Sequence, residues 1–271
     1  MPRVHREVAA QFDEISSVYD RTREPPAPEA IDALARAFAR AGVHSLLEIG
    51  VGTGRIARPL GDRGLAITGL DISRGMLREA RSKGLRDLLR GRGERLPFRD
   101  RSFDAVLMVH VLHLLNDPGE VLGEGERVGR VGAFALVRAR PGAPVGAAGA
   151  GPESVRYVLR EVLEEMGYPN TFGTSGPWTR EPQILEQHPP RRLETLTDEE
   201  VTESLGSSLD RLALRGHRGL LDVPREVLGS AIAVARERVG DRTHTYRRVE
   251  RLAFWEAARP PGDRGGGSGP D

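Results

Sequence analysis

Along the chain, short apolar runs alternate with segments in which apolar residues return every three or four positions. Ile31, Leu34, Ala35, Phe38 and Ala41 recur at helical spacing between Glu29 and Gly42, and Gly42 stands where a C-terminal cap belongs. His44 to Ile49 predicts a buried strand, followed by a glycine-rich turn, Gly50 to Gly54, and a helix carrying Ile56 and Leu60. A second strand is predicted from Leu65 to Leu70, ending at Asp71. Ser73 is placed to cap a helix holding Met76, Leu77 and Ala80, which Gly84 ends. Asp87 to Arg90, Asp104 to His110 and Ala133 to Arg138 predict strands three to five. Asp117-Pro118-Gly119-Glu120 fits a helix start with a cap and a reciprocal Glu. Strands alternating with helices imply a parallel sheet covered on both faces.

The alternation stops at Pro141 to Gly151, a Pro/Gly/Ala stretch that reads as a connector leaving the sheet. Beyond it Val155, Val158, Leu159, Val162, Leu163 and Met166 form one helical stripe ending at Gly167, whose ordinary use is core packing. The following loop carries Tyr168, Phe172 and Trp178. Arg191 to Leu196 predicts a strand, Thr197 and Glu200 a capping box opening a helix, and Asp198-Glu199-Glu200 an acidic first turn favoured by the helix dipole. Val227, Leu228, Ile232, Val234 and Val239 predict a last helix closed by Gly240. Thr245 to Ala258 predicts a strand buried on both faces, and the Gly-rich tail reads as disordered.

Composition narrows the class. The 271 residues, 38% hydrophobic and 29% charged, suit a globular chain of one to two domains. Lys+Arg at 40 against Asp+Glu at 39, interspersed, argues against nucleic acid as a partner. No apolar run nears the roughly 20 residues a membrane span needs, and Met1 to Ala10 lacks the apolar core of a signal peptide. A cytoplasmic location without membrane insertion is therefore expected. With no cysteine there is no disulfide, thiolate nucleophile or Cys-ligated metal, and Lys83 alone offers a Schiff base. His110 and His113, three apart at a strand end without a third ligand, do not predict a metal site.

The most informative stretch is Leu46-Leu47-Glu48-Ile49-Gly50-Val51-Gly52-Thr53-Gly54-Arg55. Glycines at alternate positions after a strand allow a sharp turn and close approach to a nucleotide. A dinucleotide fingerprint needs Gly or Ala where Arg55 stands, and no Gly-Lys-Ser/Thr follows for a phosphate loop. Glu48, at the end of a buried strand, would repel a diphosphate and attract an ammonium or sulfonium. Asp71, at the end of the second strand, can accept both hydroxyls of a ribose, each charge-assisted bond contributing roughly 1.5–3 kcal/mol.

These residues resemble the first two motifs of the class I S-adenosylmethionine-dependent methyltransferases. Gly91 to Phe98, Ser102-Phe103-Asp104-Ala105-Val106 and His110-Val111-Leu112-His113-Leu114 are similar to the branch that includes the ubiquinone and menaquinone biosynthesis methyltransferases, over about Phe12 to Arg138. The resemblance implies a Rossmann-like methyltransferase fold: an α/β, doubly wound, seven-strand, mostly parallel sheet with a helical cap inserted between strands five and six. It divides the chain into a cofactor-covering segment (1–28), a cofactor-binding core (29–140), the cap (141–190), the rest of the sheet (191–258) and the tail (259–271). It further implies that Glu48, Gly50, Gly52 and Gly54 hold the methionine part of S-adenosylmethionine, that Asp71 holds the ribose, and that Ile72 and Met76 pack on the adenine. Gly93 and Glu94 would follow the adenine edge. Val109 and His110 would lie beside the methionine, Tyr19 would fold over the cofactor, and Arg23 would face its carboxylate. Arg92 departs from the branch, which has an acid there to meet the adenine amino group. Either Glu94 or a backbone carbonyl replaces that contact, or affinity is lower, or the ligand differs.

The expected reaction is methyl transfer to a small-molecule acceptor, releasing S-adenosylhomocysteine, by a monomer or homodimer. His113 is a candidate base, and Tyr168, Phe172 and Trp178 are candidate acceptor contacts. The competing expectations are an NAD(P)-dependent oxidoreductase, which Glu48 and Arg55 oppose, and a non-catalytic S-adenosylmethionine-binding protein.

Overall fold

A computed structural model of the chain describes residues 3–139, 154–169, 171–172 and 177–257, with the side chains of 3–5, 139 and 177–179 left aside. In chain order the elements are α1 (Arg3–Tyr19), α2 (Pro28–Arg40), β1 (Ser45–Ile49), α3 (Ala57–Gly61), β2 (Ala66–Asp71), α4 (Arg74–Ser82), β3 (Leu88–Arg90), β4 (Phe103–Val109) and α5 (Pro118–Val128). They continue as β5 (Gly129–Ala139), α6 (Val155–Glu165), α7 (Pro177–Gln187), β6 (Arg192–Ser204), α8 (Leu205–Ala213), α9 (Arg225–Val239) and β7 (Thr243–Glu256). The seven strands form one sheet in the order β3-β2-β1-β4-β5-β7-β6, in which β7 alone runs against its neighbours. The strand order reverses between β1 and β4, where a doubly wound sheet opens a crevice at the carboxyl ends of its strands.

Period-two alternation divides the strand residues between two cores. On one face Leu47, Val106, Met108 and Ala135 pack with Val121 and Leu122 of α5 and Ile184 of α7. On the other, Leu46, Leu107, Phe134 and Leu252 pack with Ile31, Leu34 and Phe38 of α2. Each such fully buried side chain contributes roughly 1.5–3 kcal/mol. Asp104 ties β4 to the start of β1 by accepting from the backbone N–H of Ser45 (2.8 Å) and His44 (3.0 Å). Burial works against that carboxylate, but the Arg130 guanidinium and these N–H groups hold its pKa well below the usual range. Two predicted caps form: Ser73 Oγ accepts from Met76 N at 3.0 Å, and Asp117 Oδ1 from Glu120 N at 2.9 Å.

Three elements depart from the sequence reading. The segment of the predicted Thr197 to Glu200 capping box is extended, in register with β7, and Asp198 and Glu199 pair with Arg247 and Arg248 rather than face a helix dipole. The helix begins later, capped by Ser204, because cross-strand pairing outweighs a local capping pattern. Pro177–Gln187, read as loop, is helix α7. Arg3–Tyr19 is helix α1, anchored by Asp13 Oδ1, which accepts from Ser73 Oγ (2.6 Å) and Gly75 N (2.7 Å) at the start of α4. The connector at Pro141 to Gly151 and the tail beyond Gly262 lie outside the described residues.

A third apolar cluster unites α6 with α8 and α9 through Leu159, Val162, Leu163, Leu209, Ala231 and Ala235. It draws on the segments before and after β6, whereas α7 packs under the sheet with the first core. No described helix is long and apolar enough to cross a membrane.

Candidate functional site

A cavity opens where β1 meets β4. Glu48, Gly50 and Gly52 line one side of it, Val109 and His110 its floor, and Tyr19 part of its cover. Glu48 follows Leu46 by two residues and so faces the α2 side of the sheet, past the point where apolar packing ends. Its side chain is buried and its Oε2 has no hydrogen-bond partner. Burial, with the Asp71 carboxylate adding to it, pushes its pKa up to about 8. A buried polar atom without a partner is costly, so this carboxylate is poised for a cationic guest.

The three glycines of the turn do different work. Gly50 (φ +74°) and Gly52 (φ +55°) take the left-handed conformation that lets the backbone double back beside the cavity. A Cβ on Gly50 would stand 2.8 Å from a Val111 methyl. Gly54 is not among the residues lining the cavity; a Cβ there would collide with Leu85 and touch Ala80, so it seats the turn against α4. Asp71 borders the turn: Oδ2 accepts from Gly52 N and Oδ1 from Ser73 N, both at 2.8 Å. Burial raises its pKa against the pull of those N–H groups.

The cover comes from the chain after α1. Asp20 accepts from Thr53 Oγ1 at 2.5 Å and pairs with Lys83, which also donates to the Thr53 carbonyl at 2.7 Å. Arg55 lines the cavity and donates to the Glu24 carbonyl. The bulk that counted against a dinucleotide thus becomes part of the wall.

Other candidates lie elsewhere. Arg23 sits over the Tyr19 ring at 4.5 Å and meets His217 Nε2 at 3.1 Å and the Gly216 carbonyl at 3.3 Å, away from the cavity lining. His113 points to α7, with Nδ1 3.0 Å from Glu181 Oε1, and does not line the cavity. Met76 is buried beneath the start of α4, and Ile72 lends its carbonyl to Arg90. Gly93 packs on Val121 and Ile49, and Glu94 borders a separate groove with Arg92, Asn116 and Glu120. Tyr168 and Phe172 pack against the α6, α8 and α9 cluster instead of an acceptor space; the Trp178 side chain lies outside the described residues.

Sequence reasoning missed the far wall, formed by Arg138, Arg248, Glu250 and Glu199. Arg138 and Glu250 are cross-strand partners, as are Arg248 and Glu199. They continue the face on which Phe134, Leu136 and Leu252 alternate. The available signal was Glu250 standing two residues before Leu252, on the face that Leu252 makes apolar in the last strand.

Residues 47–137, from β1 to β5, match the family described as Methyltransferase domain. The chain is 34% identical over 136 residues to the demethylmenaquinone methyltransferase of Renibacterium salmoninarum, covering 48% of this chain and 57% of that protein. It is 35% identical over 128 residues to an uncharacterized methyltransferase of Mycobacterium tuberculosis, covering 47% and 51% respectively. The chain spans about half the length of these curated relatives. Among solved structures, the [4+2]-cyclase SpnF matches with a TM-score of 0.56 at 18% identity, over 94% of this chain and 98% of that one. The YcgJ protein of Bacillus subtilis matches with a TM-score of 0.51 at 16% identity, over 84% and 99%. At such identities the two structures bear on the fold alone.

Proposed function

On the premise that residues 47–137 are a class I S-adenosylmethionine-dependent methyltransferase domain, we propose that this chain transfers the methyl group of S-adenosylmethionine to a small-molecule acceptor. One observation carries the reading: a buried carboxylate, Glu48, with an unpartnered oxygen beside a turn that only glycines accommodate. The residues suit the nucleoside. Glu48 would take the ammonium of the methionine part, Gly50 and Gly52 would admit it to the backbone, and Asp71 has lone pairs left for two ribose hydroxyls. Tyr19, Val109 and His110, which line the cavity, would enclose the methionine end, and the resemblance assigns the adenine to Ile72, Met76, Gly93 and Glu94, none of which lines the cavity. Gly54 supports the turn from behind.

When bound, S-adenosylmethionine supplies a methyl group already activated on a sulfonium. The chain's part is then to bind, to orient and to exclude water. Orientation of this kind contributes roughly 7–11 kcal/mol in favourable cases. Asp20 and Arg55 fasten the segment after α1 across the turn. A dinucleotide would instead set a diphosphate beside Asp71 and Glu48, neither of which offers it a positive charge.

Calorimetry with S-adenosylmethionine, NAD and NADP tests this reading. S-adenosylmethionine is expected to bind with micromolar affinity, about −8 kcal/mol, and the two dinucleotides to give no saturable heat. Binding of NAD or NADP with none of S-adenosylmethionine would overturn it.

A further inference from the structure

The far wall of the cavity holds two unlike groups of charges. Arg248 on β7 bridges two carboxylates, with Nη1 2.6 Å from Glu24 Oε2 and Nε 2.8 Å from Glu199 Oε1. Glu250, two residues on and pointing the same way, is loosely held. Its side chain is 11% exposed, yet its cationic neighbours stand off, with Arg138 Nε at 3.6 Å and His110 Nε2 at 3.8 Å, beyond a direct hydrogen bond. All three residues line the cavity. His110 is also held at φ +49°, a conformation few non-glycine residues adopt, while its N–H donates to the Leu136 carbonyl at 3.1 Å.

We propose that His110 and Glu250 form the acceptor subsite and that it takes a small amine, whose ammonium is held by Glu250 and whose proton passes to His110. The proposal rests on the methyltransferase reading and names the substrate class of that same site. A nearly buried carboxylate whose salt-bridge partners stand at 3.6 and 3.8 Å rather than in close contact is further stabilised by an ammonium and penalised by an apolar guest. An ammonium has no lone pair, so a neutral base must take its proton before the amine can attack. The balance is R–NH3+ plus neutral His110 giving R–NH2 and protonated His110, then attack on the S-methyl carbon giving R–NH2+–CH3 and the neutral thioether.

The electrostatics agree. Burial, then Arg138 on β5, lowers the His110 pKa, with Glu250 on β7 and Glu181 on α7 opposing, so the imidazole is neutral near pH 7. Burial works against ionisation of Glu250, but the adjacent His110 ring and the Arg138 and Arg248 guanidiniums hold its pKa below the usual carboxylate range.

The test uses the full chain loaded with S-adenosylhomocysteine and titrated with benzylamine, phenol and toluene as probes of similar size. Benzylamine is expected to bind about tenfold or more tightly than the other two. Glu250→Gln should abolish that preference and Glu250→Asp restore part of it, each titrated at saturating S-adenosylhomocysteine. In the wild-type protein, the 15N signals of His110 should move with benzylamine and stay still with toluene. Equal binding of the three probes, binding of none, a preference that survives Glu250→Gln, or a His110 signal indifferent to benzylamine would each overturn the proposal. If Glu250→Gln fails to fold, the wild-type signals decide. Failure of S-adenosylhomocysteine itself to bind would instead overturn the methyltransferase reading.

Discussion

The wall from Glu48 to Arg55 is a single run of chain between one strand and one helix, whereas the facing wall takes Arg138, Arg248, Glu250 and Glu199 from three strands far apart in sequence. On the first wall a carboxylate oxygen is left without a partner; on the second Arg248 meets two carboxylates. The contrast separates two tasks. An unsatisfied buried group creates demand for one kind of ligand, while a guanidinium bridging two carboxylates fixes shape and joins strands. On the proposed reading, the local wall would supply cofactor affinity and the distant wall would shape the space beyond it.

Substitution of one residue from each wall gives the largest expected contrast. Gly52→Val forces a β-branched residue to φ +55° beside the cavity. It should weaken S-adenosylmethionine binding by about a hundredfold or more, read by calorimetry, because strain and lost backbone approach add. Arg248→Leu should cost that affinity far less, since the carboxylates it leaves behind, Glu24 and Glu199, are partly exposed and stay hydrated. Similar losses in both variants would erase the distinction.

A smaller effect sharpens it further. The Glu48 pKa is about 8 in the folded chain against 4.5 for a free side chain. Below pH 4.5 the folded and unfolded states both hold the proton. As pH rises towards 8 only the folded state holds it, so the ligand-free protein loses stability across that window and levels off above it. Glu48→Gln lacks this loss. Urea melts are expected to show the variant gaining on the wild type from pH 5 to pH 8, with no gain below pH 4.5. A constant difference at all pH values would mean that Glu48 is not buried as described.

How much of this was legible follows from where each signal lies. The glycine turn, Glu48 at alternation from Leu46, and the caps at Ser73 and Asp117 are local, and neighbouring residues suffice to read them. Helix α1 was not legible because polar residues interrupt its apolar face and its anchor, Asp13, finds partners only on α4. The stretch Thr197 to Glu200 imitates a helix start. Only the register with β7, which sets Thr197 opposite Glu250 and Glu199 opposite Arg248, shows it to be strand. The far wall was hidden for the same reason, since its members meet only through pairing between strands distant in sequence.

The most direct test of the account is the number of protons released when S-adenosylmethionine binds at pH 7. A carboxyl group with a pKa of about 8 is mostly protonated there and must ionise to receive an ammonium. Calorimetry in phosphate and in Tris is expected to show release of about one proton per cofactor, and almost none in Glu48→Gln. Binding heats that are the same in both buffers for the wild-type protein, or tight binding that ignores Glu48→Gln, would contradict the claim that this carboxylate receives the cofactor.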